Sequence, residues 1–369
     1  MPLKFVSSSL SRPLVSDLRE KYDCVTGSVE SLAGAVPRVS TAWSSSDRLG
    51  AFRSRIGAYR MRYTIPPGLY AVGEPTKGSD VFVTANYKLS FDHLRRALKG
   101  INGWILVLDT KSINVWCAAG KGTFGTEELI SRIESTKLDK IVEHRRIIVP
   151  QLGAVGVNAA TVKKRTRFRV EFGPVRADDI SGFVENNYKA TTEMRKIRFG
   201  MRDRVVLTPM EINPAMKKFP QFALIVLLIF GIQPSGILFQ DALWGGLPFI
   251  LLGLLAVFTG AFLTPALLPY VPFRSFAVKG WIVGIFAVYL LVDHLHYIPT
   301  MDSYLKAVAY IFFPMMSSYI ALQFTGSTTY TGMSGVKKEL KLGVPVYIVA
   351  ATVSFIVTIF HKLVVWGVI

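Results

Sequence analysis

Two hydrophobic patterns divide the chain. Up to about Lys218, short apolar runs alternate with amphipathic stretches; beyond it the runs reach membrane length and charges become scarce. In the first part, "VFVTA" (Val81–Ala85), "WILVLDT" (Trp104–Thr110), "IIVP" (Ile147–Pro150) and "RFRVEFG" (Arg167–Gly173) read as buried strands. Helical patterns lie between them. Ser90 is placed to cap "FDHLRRALKG", which stops at Gly100. Thr126 is placed to cap "EELISRIES", where Glu127 and Glu128 suit the positive end of the helix dipole. Strand–helix alternation predicts an α/β domain with a mostly parallel sheet. Such sheets bind ligands beyond the carboxyl ends of their strands. The loops after Val83, Asp109 and Val149 are therefore the expected binding loci, and they bring Thr84, Asn86, Gln151 and Gly153 into the candidate set.

The second part predicts an all-α transmembrane domain. A bilayer core needs roughly 20 apolar residues per spanning helix. Five stretches qualify: Phe219–Leu238, Ala242–Thr264, Phe276–Val292, Tyr304–Phe324 and Val344–Trp366. Gln233 and Pro234 interrupt the first, and the third ends in the polar "DHLHY". With five spans, Lys217, Lys218, Arg274, Lys279, Lys337, Lys338 and Lys341 fall on one side. Asp241, Asp293, Asp302, Lys306 and Lys362 fall on the other. Basic residues mark the cytoplasmic side, so the N-terminal domain is expected in the cytoplasm and the chain in the inner (cytoplasmic) membrane. The first twenty residues hold no apolar run of signal-peptide length, which agrees.

Composition sharpens this picture. Half of the 369 residues are hydrophobic, and the mean hydropathy is positive, more apolar than an ordinary soluble enzyme. The formal charge of +18 could serve nucleic acid. However, "KKRTRFR" (Lys163–Arg169), "RKIRFGMRDR" (Arg195–Arg204) and Lys217–Lys218 step toward the first span, as a segment facing anionic lipid would. No zinc-finger or RNP-like pattern supports nucleic acid. With cysteine only at Cys24 and Cys117, neither a disulfide framework nor an iron–sulfur cluster can be built.

One of those cysteines stands in a chemically unusual stretch. In "NVWCAAGKGTFGT" (Asn114–Thr126), small residues surround Cys117 and would let backbone approach a large flat ligand. Asn114 offers an amide and Trp116 a wide apolar face; Lys121, Thr123 and Thr126 could hold phosphate or amide groups. The stretch is no P-loop, because Trp116 stands where the first glycine would be. It is no cysteine hydrolase either, because His93 and His144 lie in helix-like polar surroundings. A buried structural cysteine and a ligand or nucleophile both remain open at this level.

The stretch resembles the signature of the mercury-methylation corrinoid proteins, membrane-anchored relatives of the large subunit of the corrinoid iron–sulfur protein of acetyl-CoA synthesis. "PGLYAVGEP", "VFVTANYKLSFDHLR", "WILVLDTKSINVWCAAGKGTFGTEELI", "HRRIIVPQLGAVGVNAATVKK" and "FGPVRADDI" follow the family's order, from about Val36 to Glu211. Ser112 stands where relatives more often carry glycine. The resemblance implies a corrinoid-binding α/β domain over residues 36–212, a basic juxtamembrane linker at 213–218 and the membrane domain at 219–369. Residues 1–35, with Cys24, carry no resemblance and no assigned role.

By the same resemblance, Cys117 is the lower axial cobalt ligand, on a short cap helix under the corrin. Asn114, Val115, Trp116, Ala118, Ala119, Gly120, Lys121, Gly122, Thr123, Phe124, Gly125 and Thr126 surround the cofactor, with Thr84, Asn86, Gln151 and Gly153 on the neighbouring loops. A methyl group from a folate- or pterin-type donor would be taken onto cobalt and passed as a carbanion equivalent to Hg(II), presented as a thiolate complex. A ferredoxin-like iron–sulfur protein would supply electrons. Two other readings are a methyl carrier of the acetyl-CoA pathway and a transporter with a cofactor-sensing domain. The spans lack the central ionisable residues of an ion path, which weighs against a transporter. Asp293, His294 and His296 at a span end read as interfacial, and Met315 and Met316 as core.

The span count is open to a direct check. A reporter fused after Ile369 is expected to report the periplasmic side. A cytoplasmic signal would remove one span, Phe219–Leu238 being the first suspect.

Overall fold

The computed structural model describes residues 15–295, 301–328, 330–331 and 333–369. They fall into two compact units, divided between Ile197 and Arg198. The first runs in the order α1 (Val15–Lys21), β1 (Val25–Val29), β2 (Val36–Val39), α2 (Ser45–Arg53), β3 (Gly68–Val72), β4 (Val81–Ala85), α3 (Lys88–Ala97) and β5 (Gly103–Leu108). It continues through α4 (Val115–Lys121), α5 (Thr126–Ser135), α6 (Leu138–Ile141), β6 (Arg146–Val149), α7 (Ala159–Thr166), β7 (Arg169–Phe172) and α8 (Ile180–Glu185).

One seven-stranded sheet has the order β1-β2-β3-β5-β4-β6-β7. The block β5-β4-β6-β7 is parallel throughout. β3 joins it antiparallel to β5, β2 is parallel to β3, and β1 is antiparallel to β2. The sheet is thus mostly parallel, as the alternation of strands and helices predicts. Side-chain alternation sorts the two faces. Val81, Val83 and Ala85 of β4 join Trp104, Leu106 and Leu108 of β5 in a core under α4, α5 and α7. Phe82, Ile105 and Val107 join Phe91, Leu94 and Leu98 around α3 in the other core. Burial on both sides makes these strands unbroken apolar runs.

The described part of the N-terminal segment belongs to this unit. Leu18, Tyr22, Cys24 and Val25 lie in the α3-side core, and Cys24 is 2% exposed. Residues 1–14 lie outside the described residues.

Two helix starts differ from expectation. Helix α3 begins at Lys88 after Tyr87, so Ser90 lies inside its first turn and makes no cap. Helix α5 is preceded by Gly125, making Thr126 its first residue rather than its cap. The early start of α3 has a clear cause. Lys88 Nζ reaches inward to Asp47 Oδ1 (2.6 Å) and Asp92 Oδ1 (2.9 Å). Arg95, wholly buried, donates to Asp47 Oδ2 (2.6 Å), to Asp92 Oδ1 (2.8 Å) and to the carbonyls of Ser40 and Ala42. Tyr63 donates to Asp92 Oδ2 at 3.0 Å. Two carboxylates and two cations thus neutralise one another inside the domain.

The second unit is helical: α9 (Met201–Leu207), α10 (Pro209–Gly231), α11 (Phe239–Phe258), α12 (Thr264–Leu267), α13 (Phe276–Tyr289), α14 (Ser303–Gln323) and α15 (Met333–Val365). Five helical stretches are long and apolar enough to cross a membrane: Met201–Gly231, Phe239–Leu267, Phe276–His294, Ser303–Gly326 and Ser334–Val365. The first ends at Gly231, short of the predicted Leu238. Gln233–Gly236 closes a two-stranded hairpin of Ile232–Gln233 and Gly236–Ile237, with Gly236 at φ +122°. The stretch 213–218, expected as a linker, lies within α10.

Close packing of α13 on α14 relies on glycine: a Cβ at Gly280 would meet Ala321 Cβ at 2.5 Å, and one at Gly284 would meet Pro314 Cα at 2.9 Å. Of the residues predicted to share one side, Lys306 and Asp293 meet in an ion pair. Lys362 caps α10 through the carbonyls of Phe230 (3.1 Å) and Ile232 (2.9 Å), and Lys306 and Tyr310 both engage Asp293. His294 lies near the Tyr289 ring, and Met316 packs on the helical core; His296 lies outside the described residues.

The buried ion cluster makes a pH prediction. Burial alone would raise the Asp47 carboxyl, but hydrogen bonds from Lys88 and Ser44 N–H, with the charges of Lys88 and Arg95, hold it at about 2. A depressed pKa contributes stability above the unfolded value, lost as pH falls through the folded one. The protection factors of the α3 amides, taken against the intrinsic exchange rate at each pH, are therefore expected to be flat from neutral pH down to about 4 and to fall toward pH 2. Asp92→Ala strands Lys88 and Arg95 and should destabilise the unit by about 3–5 kcal/mol, read as a loss of the same protection at neutral pH. Unchanged exchange in that variant would contradict this account.

Candidate functional site

The loop after β5 is built around one side chain. Asn86 follows β4, is 7% exposed, and donates its backbone N–H to the Leu108 carbonyl at 2.9 Å. Its Oδ1 accepts from Thr110 N–H (3.1 Å) and Ser112 N–H (3.2 Å) and lies 2.8 Å from the Thr110 hydroxyl. Its Nδ2 donates to Asp109 Oδ1 at 3.2 Å. Lys111 and Ser112 both take left-handed backbone, φ +56° and +65°. Such backbone costs an L-residue roughly 1–2 kcal/mol, a cost that glycine at position 112 would avoid. Glu128 secures the other side, accepting from Asp109 N–H at 2.8 Å while paired with Arg132. Burial would raise the Asp109 carboxyl, but hydrogen bonds from the Lys111 side chain and N–H hold it below its usual range.

This turn delivers the chain into α4. Asn114 is the N-cap, accepting from Cys117 N–H at 2.9 Å, and Gly122 (φ +80°) ends the helix. At about 100° per residue, the helix presents two faces. Val115, Ala118 and Ala119 are buried, whereas Trp116, Gly120 and Lys121 are exposed and Cys117 is half-exposed. Cys117 falls near the middle of the open face, flanked by Trp116, Gly120 and Lys121. A Cβ at Gly120 would meet nothing within 4 Å.

The small residues therefore divide their work. Ala118 and Ala119, expected to give a flat ligand close approach, instead face the core, because they seat the helix. The turn under them admits only glycine: a Cβ at Gly156 would lie 2.1 Å from the Phe124 carbonyl, and one at Gly153 would lie 2.5 Å from the Phe124 ring. Phe124 is wholly buried, and Gly125 is buried beside it.

A cleft of ≈ 350 Å³ opens beside the start of α4. Val83 and Thr84 of β4, Ile148 of β6 and Pro150 just after it form its floor; Ser90, His93 and Leu94 of α3 form one wall and Asn114, Val115 and Trp116 the other. The chain leaves β4 toward β5 and leaves β6 toward β7 in the opposite direction. The cleft thus lies at the switch point of the sheet, where such folds bind ligands. Gln151 Oε1, between the cleft residues Pro150 and Leu152, is buried without a hydrogen-bond partner among the described residues.

Of the polar groups considered for phosphate or amide contacts, Lys121 is free to reach solvent. The Thr123 hydroxyl sits 3.4 Å from the Ala118 carbonyl, and the Thr126 hydroxyl accepts from Asn158 N–H at 2.8 Å. Asn86 is committed to the loop. His93, set aside from the sequence, is brought to the cleft wall, where burial and then the Arg55 charge lower its pKa and favour neutral imidazole. Its only sequence signal is its place one helical turn after Ser90. His144 binds the Ser79 carbonyl before β4, at the opposite edge of the sheet. Among the described residues no three His, Cys, Asp or Glu side chains gather as a metal site.

Residues 60–184, which hold the cleft and α4, match the family model described as CO dehydrogenase/acetyl-CoA synthase delta subunit. The chain is 32% identical over 126 residues to the acetyl-CoA decarbonylase/synthase complex subunit gamma of Archaeoglobus fulgidus, covering 34% of this chain and 26% of that one. Its likeness to the subunit of the same name from Methanopyrus kandleri is 31% over 123 residues, 33% of this chain and 26% of that one. The subunit from Methanocaldococcus jannaschii is 28% identical over 131 residues, 35% and 26% of the two chains. The chain spans about a quarter of the length of these curated relatives.

The Asn86 arrangement predicts a specific weakness. Asn86→Ala leaves the buried Thr110 N–H unpaired, a loss of about 1–3 kcal/mol. Amide exchange over residues 110–118 is expected to rise at least roughly tenfold while that of β4 and β5 changes little. Unaltered exchange in the loop would show that Asn86 does not hold it.

Proposed function

We propose that the first unit binds a corrinoid against the open face of α4, where the Cys117 thiolate would hold its cobalt, and that the protein is a membrane-bound methyl carrier. The observation that carries this reading is the thiol's place. It stands mid-face on a capped helix, between the space over Gly120 and Lys121 with Trp116 on the same face, at the carboxyl edge of a mostly parallel sheet. The residues present fit such a group: a soft donor, an open approach and, nearby, an unsatisfied buried carbonyl at Gln151. The corrinoid would supply a cobalt centre that carries a methyl group between a donor and an acceptor.

The chain's own residues supply position and charge. Asn114 fixes the backbone at Cys117, and the turn at Gly153–Gly156 fixes the depth of α4, so the point from which the thiol projects is held. A thiolate at Cys117 would donate more electron density to the metal than an imidazole, which would favour giving up the methyl group as a carbanion equivalent. Cys24 is buried in the other core, so Cys117 has no second thiol with which to form a cluster. Electrons would come from a separate iron–sulfur protein, and the methyl group from a folate- or pterin-type donor.

Two acceptors follow. The likeness to acetyl-CoA decarbonylase/synthase gamma subunits supports delivery to an acetyl-CoA-forming partner. The resemblance of "NVWCAAGKGTFGT" to the mercury-methylation signature, together with the five membrane-length helices, supports delivery to Hg(II), a soft electrophile that requires a carbanion-like methyl. We take Hg(II) as the finer reading.

Membranes loaded with corrinoid, reduced through a ferredoxin and given a methyl donor can be offered either acceptor. Methylmercury formation is the expected result; acetyl-CoA formation alone would assign the other acceptor. Cys117→Ala should retain the cofactor but lose the thiolate-dependent absorption shift and nearly all transfer. Cys117→His should give a nitrogen-ligated spectrum with poor transfer, and Cys24→Ala should remain near normal. If the wild-type and Cys117→Ala spectra coincide while activity disappears, Cys117 handles methyl or mercury directly.

A further inference from the structure

We propose that a second cleft, beside the first, is a subsite for an anionic group, a phosphate or clustered carboxylates. It measures ≈ 500 Å³ and is lined by Thr41, Trp43, Arg48, Arg96 and Lys99. Charge accounting singles it out. The carboxylates closest in sequence, Asp47 and Asp92, are consumed inside the domain by Lys88 and Arg95. Arg48, Arg96 and Lys99 therefore reach one cleft without ion pairs among the described residues. Three like charges gathered in one concave place repel one another and raise the local potential, which an anion would relieve.

The cleft is also built rather than incidental. Trp43 Nε1 donates to the Asp92 carbonyl at 2.9 Å, fixing the indole, and the Arg96 guanidinium lies 5.5 Å over its ring. The indole also meets His93 edge-on, ring centroids 5.2 Å apart. His93 lines the first cleft, so the Trp43–His93 pair is a wall common to both. On α3, His93 and Arg96 are one turn apart and share a face. A ligand in the first cleft could extend an acidic tail past His93 onto Arg96 and Lys99.

The anion has two sources to distinguish, a free phosphate or the acidic tail of a small molecule seated in the first cleft; the second rests on the methyl-carrier reading. The full chain in detergent separates them by equilibrium dialysis at low salt. The probes are inorganic phosphate and a methylated pterin donor with a single or several glutamyl units. The comparison is Arg48→Gln/Arg96→Gln/Lys99→Gln, whose sites are exposed, so its melting temperature should match wild type. The expected result is that the many-glutamate donor binds at least roughly tenfold more tightly than the single-glutamate one. That preference should vanish in the triple variant and shrink with added salt, because exposed charges are screened. Phosphate binding lost in the variant, without a tail-length preference, assigns a free anion and keeps the subsite. Phosphate binding lost in the variant while neither pterin binds keeps the subsite and counts against the pterin donor. Equal binding of every probe by both proteins, or no binding at all, overturns the proposal.

Discussion

The candidate site depends on one buried carboxamide. Asn86 leaves the end of β4 and takes the backbone donors of Thr110 and Ser112 at the end of β5, tying two adjacent parallel strands to one turn. Without it the left-handed pair Lys111–Ser112 would have no partner to offset its backbone cost. From that turn the rest follows in sequence. Asn114 can cap, α4 can begin at the switch point, and Cys117 is presented on the outward face. Glu128 holds the same turn at Asp109, and the glycine turn at 153–156 seats the helix.

Helix α3 shows how a single segment serves several layers. Its inner positions Lys88 and Arg95 neutralise Asp47 and Asp92 within the fold, and Tyr63 adds a hydrogen bond to Asp92. Ser90, His93 and Leu94 wall the first cleft, and Arg96 and Lys99 face the second. A buried ion cluster is weak grounds for stability in itself, since an apolar replacement can match it. Here it orders the charges, removing the acids and leaving the outer bases unopposed.

Much of the fold was legible in the sequence because it rests on local rules. The β4, β5 and β6 runs are apolar on both faces, and that pattern alone identifies covered parallel strands. The long apolar helices declare themselves by length, and the misplaced end at Gln233–Gly236 is where a hairpin turn competed with helix continuation. The helix starts at Lys88 and Thr126 were harder, because a Ser or Thr near a helix start looks like a cap whether or not its side chain is used; Gly125 in fact precedes α5. The inward turn of Lys88, Asp92 and Arg95 was hidden, since charged residues on an amphipathic pattern ordinarily face water. The motif identified α4 as the place to look. Which of its small residues face outward could not be read from composition, because Ala118, Ala119 and Gly120 look alike in sequence and separate only by angle around the helix.

The central claim is that the sulfur of Cys117 sits on cobalt. X-ray absorption at the cobalt edge of the corrinoid-loaded full chain tests it without reliance on turnover. The account predicts one sulfur scatterer at bonding distance in the wild type and in Cys24→Ala, absent from Cys117→Ala at equal cobalt content. A wild-type spectrum with only nitrogen and oxygen neighbours, unchanged by Cys117→Ala, would contradict it.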